Sequence, residues 1–72
     1  MKEYTVIYEW GEHNWSAYVP DLPGCIATGK TRKQIEKQIR EAIEFHLEGM
    51  IARGEQVPEP SIEAGTVTVA VE

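Results

Sequence analysis

The sequence predicts a small α+β domain with the element order β-β-β-α-β, in which a mixed four-stranded sheet carries one long helix on one face. Three observations predict this fold. Two runs rich in β-branched and aromatic residues flank a glycine-containing turn, a long amphipathic stretch begins at a threonine cap, and an alternating run of valines follows near the C-terminus. No repeat interrupts this order, so residues 1–72 are interpreted as a single domain.

The first two strands are predicted at residues 3–10 and 15–19, because each run alternates and a short loop containing Gly11 separates them. Trp10 and Trp15 flank this loop, so their rings are expected to lie close together across the hairpin. Core packing and contact with a partner protein explain this pair of tryptophans about equally well. Both residues are therefore candidate partner contacts.

A rigid turn is predicted to lead from this hairpin into a short third strand at residues 25–28. Pro20 and Pro23 fix φ and lack backbone donors, and Gly24 can adopt φ values that other residues avoid. These three residues force the chain to reverse its direction.

The helix is predicted to begin at Thr31, where the Thr31 hydroxyl and the Gln34 side chain form a capping box and satisfy each other's backbone donors. Gly54 is its expected end. Apolar residues recur at helical spacing and form one stripe, which consists of Ile35, Ile39, Ala42, Ile43, Leu47, Met50 and Ile51.

Residues 66–71 alternate almost ideally and predict a fourth strand, which follows a polar, proline-bearing connector at residues 55–61. A helix with one apolar stripe covers only one face of such a sheet, whereas the first strand has apolar residues on both of its sides. The uncovered face of the sheet is therefore predicted to contact another molecule.

A chain of 72 residues buries only about 60% of the surface that its unfolded form exposes, so its core needs added stabilisation. The single cysteine, Cys25, excludes an internal disulfide and a multi-cysteine metal site. Association with further copies, as a dimer or a tetramer, is the expected supplement.

The formal net charge of −5 argues against an autonomous nucleic-acid binder and suits contact with a basic protein. No apolar run is long enough to span a bilayer, and the N-terminus lacks the apolar core of a signal peptide. The sequence therefore predicts a cytoplasmic protein without membrane association.

Carboxylates dominate the outer face of the predicted helix, where Glu41, Glu44 and Glu48 are candidate contacts for a basic partner. The alternative is a metal-dependent nuclease site, to which Asp21 in the proline turn would contribute together with neighbouring glutamates. Such a site needs several acidic groups that converge at strand ends, whereas most of these residues fit a solvated helix face. A binding surface is therefore the favoured interpretation.

The remaining reactive side chains do not indicate catalysis. His13 lies in the hairpin turn without a second ligand at metal-binding spacing, and His46 lies at the edge of the helix stripe, where it suits packing. Cys25 has no activating base nearby in the sequence and is interpreted as a small buried apolar residue. We therefore predict no catalytic residue, no metal and no cofactor.

Taken together, roughly residues 3–60 resemble the HicB-like antitoxins of type II toxin–antitoxin systems. The proline turn followed by a capped helix carries most of this resemblance, and the matching segments are residues 4–9, 15–20, 21–25, 28–31 and 39–44. The resemblance implies a partial ribonuclease-H-like fold, in which the final strand pairs beside the first. It also implies binding to a small basic HicA-like toxin that cleaves messenger RNA, with no catalysis by the antitoxin itself.

The resulting hypothesis is a binding module that neutralises such a toxin by occluding it. Two alternatives stay open, namely a residual metal-dependent nuclease with a ribonuclease-H-like fold and a homo-oligomeric domain with no remaining toxin. Many relatives carry a C-terminal DNA-binding segment, whereas this sequence ends at Glu72 directly after its last predicted strand. Direct operator binding is therefore not expected.

Overall fold

Three strands and one helix form the ordered body of the molecule in a computed structural model that describes residues 1–72. The strands pair in the order β1-β2-β3, and both pairings are antiparallel. The elements are β1 (Ile7–Trp10), β2 (Trp15–Tyr18), β3 (Ile26–Gly29) and α1 (Arg32–Ala52). The predicted α+β class, the existence of the first three strands and the long helix are confirmed, but residues 3–6 of the predicted first strand lie outside β1.

The proline turn reverses the chain as predicted. The Leu22 N–H donates to the Val19 carbonyl at 3.0 Å, and the Cys25 N–H donates to the Leu22 carbonyl at 3.0 Å. Gly24 has a φ of +85°, a region that favours glycine. Leu22 itself is fully buried, so the turn adds an apolar side chain to the core.

The helix begins and ends where the sequence predicts, with one difference in its cap. The Thr31 hydroxyl accepts from the Gln34 N–H at 3.0 Å, as expected. The Gln34 side chain, however, accepts from the Lys30 N–H at 2.6 Å and not from that of Thr31. Gly54, with a φ of +75°, follows the last turn of the helix.

The core lies between the helix and the β2–β3 half of the sheet. The backbone of α1 packs over β2 and β3 but not over β1. Six residues are buried, and all are apolar, namely Ala17, Val19, Leu22, Cys25, Ile35 and Ile39. The prediction that Ile51 belongs to the apolar stripe that packs on the sheet is wrong, because its side chain is 66% exposed. At 3.6 residues per turn, the sixteen residues that separate Ile51 from Ile35 place it about 160° around the helix.

The predicted fourth strand is not formed within one copy of the chain. Residues 66–71 belong to no sheet, and every residue from 61 to 72 is exposed. The sheet is therefore three-stranded and antiparallel, not mixed and four-stranded, and a final strand does not pair beside the first. Alternation describes a segment that can form a strand, but a strand also needs a neighbour, and this segment has none in the structure.

The connector before this segment is attached to the body at a few points. The Tyr4 hydroxyl donates to the Pro58 carbonyl at 2.6 Å, and the Thr5 hydroxyl donates to the Ile62 carbonyl at 2.5 Å. Beyond Ile62 the chain projects outward. The radius of gyration is accordingly 14.3 Å, against about 11 Å for a compact domain of this length. No helix combines the length and the apolar character that a membrane crossing requires.

Candidate partner-binding surfaces

One candidate surface, the aromatic corner, consists of Tyr8, Trp10, Trp15 and Arg32. Trp10 and Trp15 are register partners, and their ring centroids lie 5.5 Å apart with planes inclined by 57°. The Arg32 guanidinium lies over the Tyr8 ring at 3.8 Å from its centroid. The predicted proximity of the two tryptophans is therefore confirmed, and the cation joins the start of the helix to the hairpin.

The two tryptophans differ in burial, which bears on their alternative roles. Trp15 is half-buried and packs against the core, whereas Trp10 is 57% exposed. An exposed indole beside a half-buried one offers a flat apolar surface with hydrogen-bonding capacity, a combination that is enriched at interface anchors. Whether a partner contacts either residue stays a prediction.

A second candidate surface, the acidic stripe, consists of Glu41, Glu44 and Glu48 on the outer side of α1. All three are exposed, and their spacing of three and four residues places them on one side of the helix. None of them forms an ion pair with a basic side chain. The stripe therefore presents three carboxylates that are free to attract a cationic surface.

Sequence reasoning missed Phe45, which lies beside this stripe. Phe45 is 79% exposed, although it is the largest apolar side chain on the helix. The helical spacing could have revealed this exposed position. Phe45 follows Glu41 by four residues, so it lies on the same side of the helix as that glutamate and outside the apolar stripe. An exposed phenylalanine among carboxylates is a candidate anchor for a partner.

The aromatic corner and the acidic stripe do not form one patch. Glu41 and Glu48 follow Arg32 by nine and sixteen residues, which corresponds to about 14 to 24 Å along the helix axis. The predicted contact residues therefore define two separated surfaces. A partner must be extended, or bind at one surface only, to use them.

A third surface is the face of the sheet opposite the helix. Ile7, Tyr18 and Ile26 are cross-strand neighbours on this face, and Ile26 is 69% exposed. No element of the chain packs over this row. This confirms that the helix leaves one sheet face with apolar side chains uncovered.

A groove runs between the free edge of β1 and the helix, and we call it the β1 groove. Its volume is about 340 Å³, and Val6, Tyr8, Ile39 and Ile43 form its apolar floor. Three charged residues line its rim, namely Glu36, Arg40 and Glu44. The groove exists because the helix lies over the other two strands and leaves β1 aside.

Asp21, which the alternative hypothesis assigns to a nuclease site, accepts hydrogen bonds from the connector. Its carboxylate accepts from the Ser61 N–H at 3.0 Å, the Ser61 hydroxyl at 2.7 Å and the Ile62 N–H at 3.2 Å. The Ser61 backbone donor, followed by the Ser61 hydroxyl, lowers the pKa of this carboxyl below its ordinary value of 3.8. Asp21 therefore holds the connector against the proline turn.

The other reactive side chains lie apart from one another. Cys25 is buried, and desolvation raises the pKa of its thiol, which disfavours the thiolate. His13 is exposed in the hairpin turn with Glu12 at 4.0 Å, and His46 is half-buried on the helix. No three histidine, cysteine or acidic side chains come together in a geometry that holds a metal ion.

Comparison with known proteins shows the family to which this sequence is similar. The family described as HicB_like antitoxin of bacterial toxin-antitoxin system matches residues 4–68. A UPF0150 protein of Thermoplasma acidophilum is 38% identical over 66 residues, which cover 90% of this chain and 96% of that protein. A UPF0150 protein of Synechocystis is 32% identical over 69 residues, which cover 94% of this chain and 87% of that protein.

A phage protein and a solved structure are also similar. A 14.9 kDa protein from the rep-hol intergenic region of Haemophilus phage HP1 is 36% identical over 55 residues, which cover 76% of this chain but 41% of the phage protein. A chain in the HicA3 and HicB3 toxin–antitoxin complex superposes with a TM-score of 0.71 and 28% identity. That superposition covers 83% of this chain and 70% of the other.

Proposed function

The chain belongs to the HicB-like antitoxin family, and we propose that it neutralises a small, basic, HicA-like toxin by covering the surface with which the toxin cleaves messenger RNA. The superposition on a chain from a toxin–antitoxin complex carries this proposal, because it extends over 83% of the chain. The net charge of −5 supports it, since opposite charge accelerates association with a basic partner.

The acidic stripe and Phe45 form the surface that best suits such a toxin. Three carboxylates without basic partners attract a cationic protein at long range, and an exposed aromatic ring supplies apolar contact area once the two proteins meet. In this division of roles the carboxylates raise the association rate, and Phe45 lowers the dissociation rate.

The test is a binding measurement with a HicA-like protein from the same genome in a catalytically inactive form. We expect a complex in which reversal of the stripe (E41K, E44K and E48K) lowers the association rate by about tenfold or more at low salt. The matched control reverses three other exposed glutamates, E3K, E12K and E72K, with the same change in net charge. Phe45→Ala is expected to cost more than about 1 kcal/mol of binding free energy, with most of the loss in the dissociation rate.

Absence of any complex would overturn the proposed function. An equal decrease of the association rate in the stripe variant and in the control would show that net charge, and not this surface, attracts the toxin. An RNA cleavage assay with the active toxin provides the functional measurement, because occlusion requires that inhibition follow the bound fraction.

In this proposal the chain acts in the cytoplasm and catalyses nothing itself. The hydrogen bonds of Asp21 support a structural role for this residue, since its carboxylate holds Ser61 of the connector. Purified protein is expected to leave RNA intact in the presence of Mg²⁺ or Mn²⁺. Cleavage that disappears in the Asp21→Asn variant would contradict a purely binding role.

A further inference from the structure

We propose that residues 63–72, the C-terminal tail, add as a fourth strand to the free edge of β1 in a second copy of this chain. Each copy would give its tail and receive that of its partner. This inference is independent of the proposed function, because it concerns how two copies of the chain associate and not what they inhibit.

The tail has the chemistry of a strand that lacks a sheet. Val67, Val69 and Val71 alternate with Thr66, Thr68 and Ala70, so one side of an extended tail is uniformly apolar. The three valines are 86%, 69% and 86% exposed, respectively. A row of β-branched residues in solvent gains more from joining a sheet than from remaining free.

The β1 groove has the complementary shape and chemistry. β1 pairs with β2 along one edge, and its other edge presents unpaired backbone groups. A strand added there would direct every second side chain toward the side of the sheet that Val6 and Tyr8 share. Valines on that side would lie over Ile43, which is half-exposed in the groove.

The edge of β3 is a poorer acceptor. A groove of about 350 Å³ also lies beside it, but His46, Gly49 and Arg53 form much of its helical wall. Among β3 residues only Ile26, at the start of the strand, lines that groove. Apolar side chains also meet in that groove, namely Cys25, Ile26, Ala42 and Phe45, but Cys25 and Ala42 are small. The four apolar residues of the β1 groove, Val6, Tyr8, Ile39 and Ile43, are all larger than these two.

A second copy fits this edge better than the tail of the same chain. Asp21, Ser61 and Thr5 hold the connector up to Ile62, and from there the tail leaves the body without further contact. The overall extents of 52 × 27 × 19 Å reflect this projection. Since each copy has one tail and one free edge, a two-fold exchange satisfies both and closes without further growth.

The mass of the full chain in solution tests the proposal. Sedimentation equilibrium is expected to give twice the monomer mass of 8.1 kDa for the wild type. The V67D/V69D variant is expected to be monomeric, because it charges the apolar side of the tail. The matched control T66D/T68D adds the same charge on the other side of the tail and is expected to remain dimeric.

Complementation separates strand exchange from a general loss of folding. Val6→Lys, which charges the groove, is expected to be monomeric with an unchanged circular dichroism spectrum. An equimolar mixture of Val6→Lys and V67D/V69D retains one intact tail and one intact groove, so a heterodimer is expected. Ile26→Lys on β3 is the control and is expected to dimerise.

Three outcomes would overturn the proposal. One is a monomeric wild type, including a monomer whose tail amides are protected from hydrogen exchange by its own β1. Another is a wild-type dimer that persists in V67D/V69D. The third is a failure of the two monomeric variants to associate when mixed, although each retains the native spectrum.

Discussion

The two halves of the sheet differ in how the helix covers them. In the β2–β3 half, Ala17 of β2 and Ile35 of the helix both belong to the core and are 2% and 0% exposed. In the β1 half, Tyr8 lies on the same sheet face as Ala17, and Ile43 lies on the same helix as Ile35. Both residues nevertheless remain half-exposed around a groove. Residue type alone does not explain this contrast, because both halves contribute large apolar side chains.

The connection between β3 and α1 explains the contrast. β3 ends at Gly29 and the helix begins at Arg32, so the helix starts directly beside β3 and cannot move across to β1. The approach is close, since a Cβ at Gly29 would lie 3.0 Å from the Ile35 backbone nitrogen. A short link thus closes one half of the domain and leaves the other half available for a partner.

The largest expected effect compares one helix residue from each half. Ile35→Ala removes a fully buried side chain and is expected to reduce the free energy of unfolding by about 2–5 kcal/mol. Ile43→Ala lies in the open half and is expected to cost about 1–2 kcal/mol, because its side chain is already partly hydrated. Denaturant unfolding measures both substitutions in the V67D/V69D background, in which the β1 groove is expected to stay open. Equal losses in that background would show that the helix packs against β1 as closely as against β2 and β3.

The second prediction tests the close approach at the link. Gly29→Ala is expected to destabilise the domain by about 1–3 kcal/mol, because the added methyl group meets the helix backbone, which has little room to move. Gly65→Ala is the control, since nothing lies within 4 Å of its Cβ position. Thermal unfolding of the two variants compares them, and similar midpoints would mean that the link is looser than the structure indicates.

A smaller effect is expected at the first turn of the helix, where the Arg32 side chain lies over an aromatic ring of β1. Arg32→Ala removes the cation that lies over Tyr8 and is expected to cost about 0.5–1 kcal/mol. Trp15 fluorescence should shift as well, because the guanidinium is also 5.5 Å from that ring. Lys33→Ala provides the control on the same helical turn. A matching loss in Lys33→Ala would attribute the effect to helix charge and not to the aromatic corner.

The smallest effect on global unfolding is expected at the connector, and it depends on pH. The folded-state pKa of Asp21 is lowered, so its stabilising contribution is present above the ordinary carboxyl pKa of 3.8 and is lost as the pH falls through the folded-state value. Asp21→Asn should therefore be less stable than the wild type at neutral pH and equal to it in strong acid. Thermal unfolding across that range, with the exposed Glu63→Gln as a surface control, measures the difference, and a pH-independent gap would contradict it.

Local features of the sequence predicted local structure well. The Gly24 turn, the Thr31 cap and the Gly54 stop each depend on the conformational limits of one or two residues, and each is found where it was expected. The proximity of Trp10 and Trp15 follows from hairpin pairing across a short loop. These predictions need only the nearest residues along the chain.

Predictions that required a neighbour from elsewhere in the chain were less successful. Residues 66–71 have strand chemistry but no strand partner in the structure, and Ile51 has the right type but the wrong helical angle to reach the sheet. The role of Asp21 as the tether of Ser61 joins positions forty residues apart, which no spacing in the sequence indicates. Phe45 was missed because the search for the buried stripe passed over an apolar residue outside it.

The sequence by itself determined the turns, the helix ends, the order of the first four elements and the acidic character of the surface. These depend on φ limits, hydrogen-bond donors within a few residues and the count of charges, all of which are local or additive. The tertiary structure decided which half of the sheet the helix covers, which carboxylate is occupied and which apolar residues remain free for a partner. Those outcomes depend on where distant segments of the chain contact each other. The burial of a residue depends on these contacts and not on its own side chain alone.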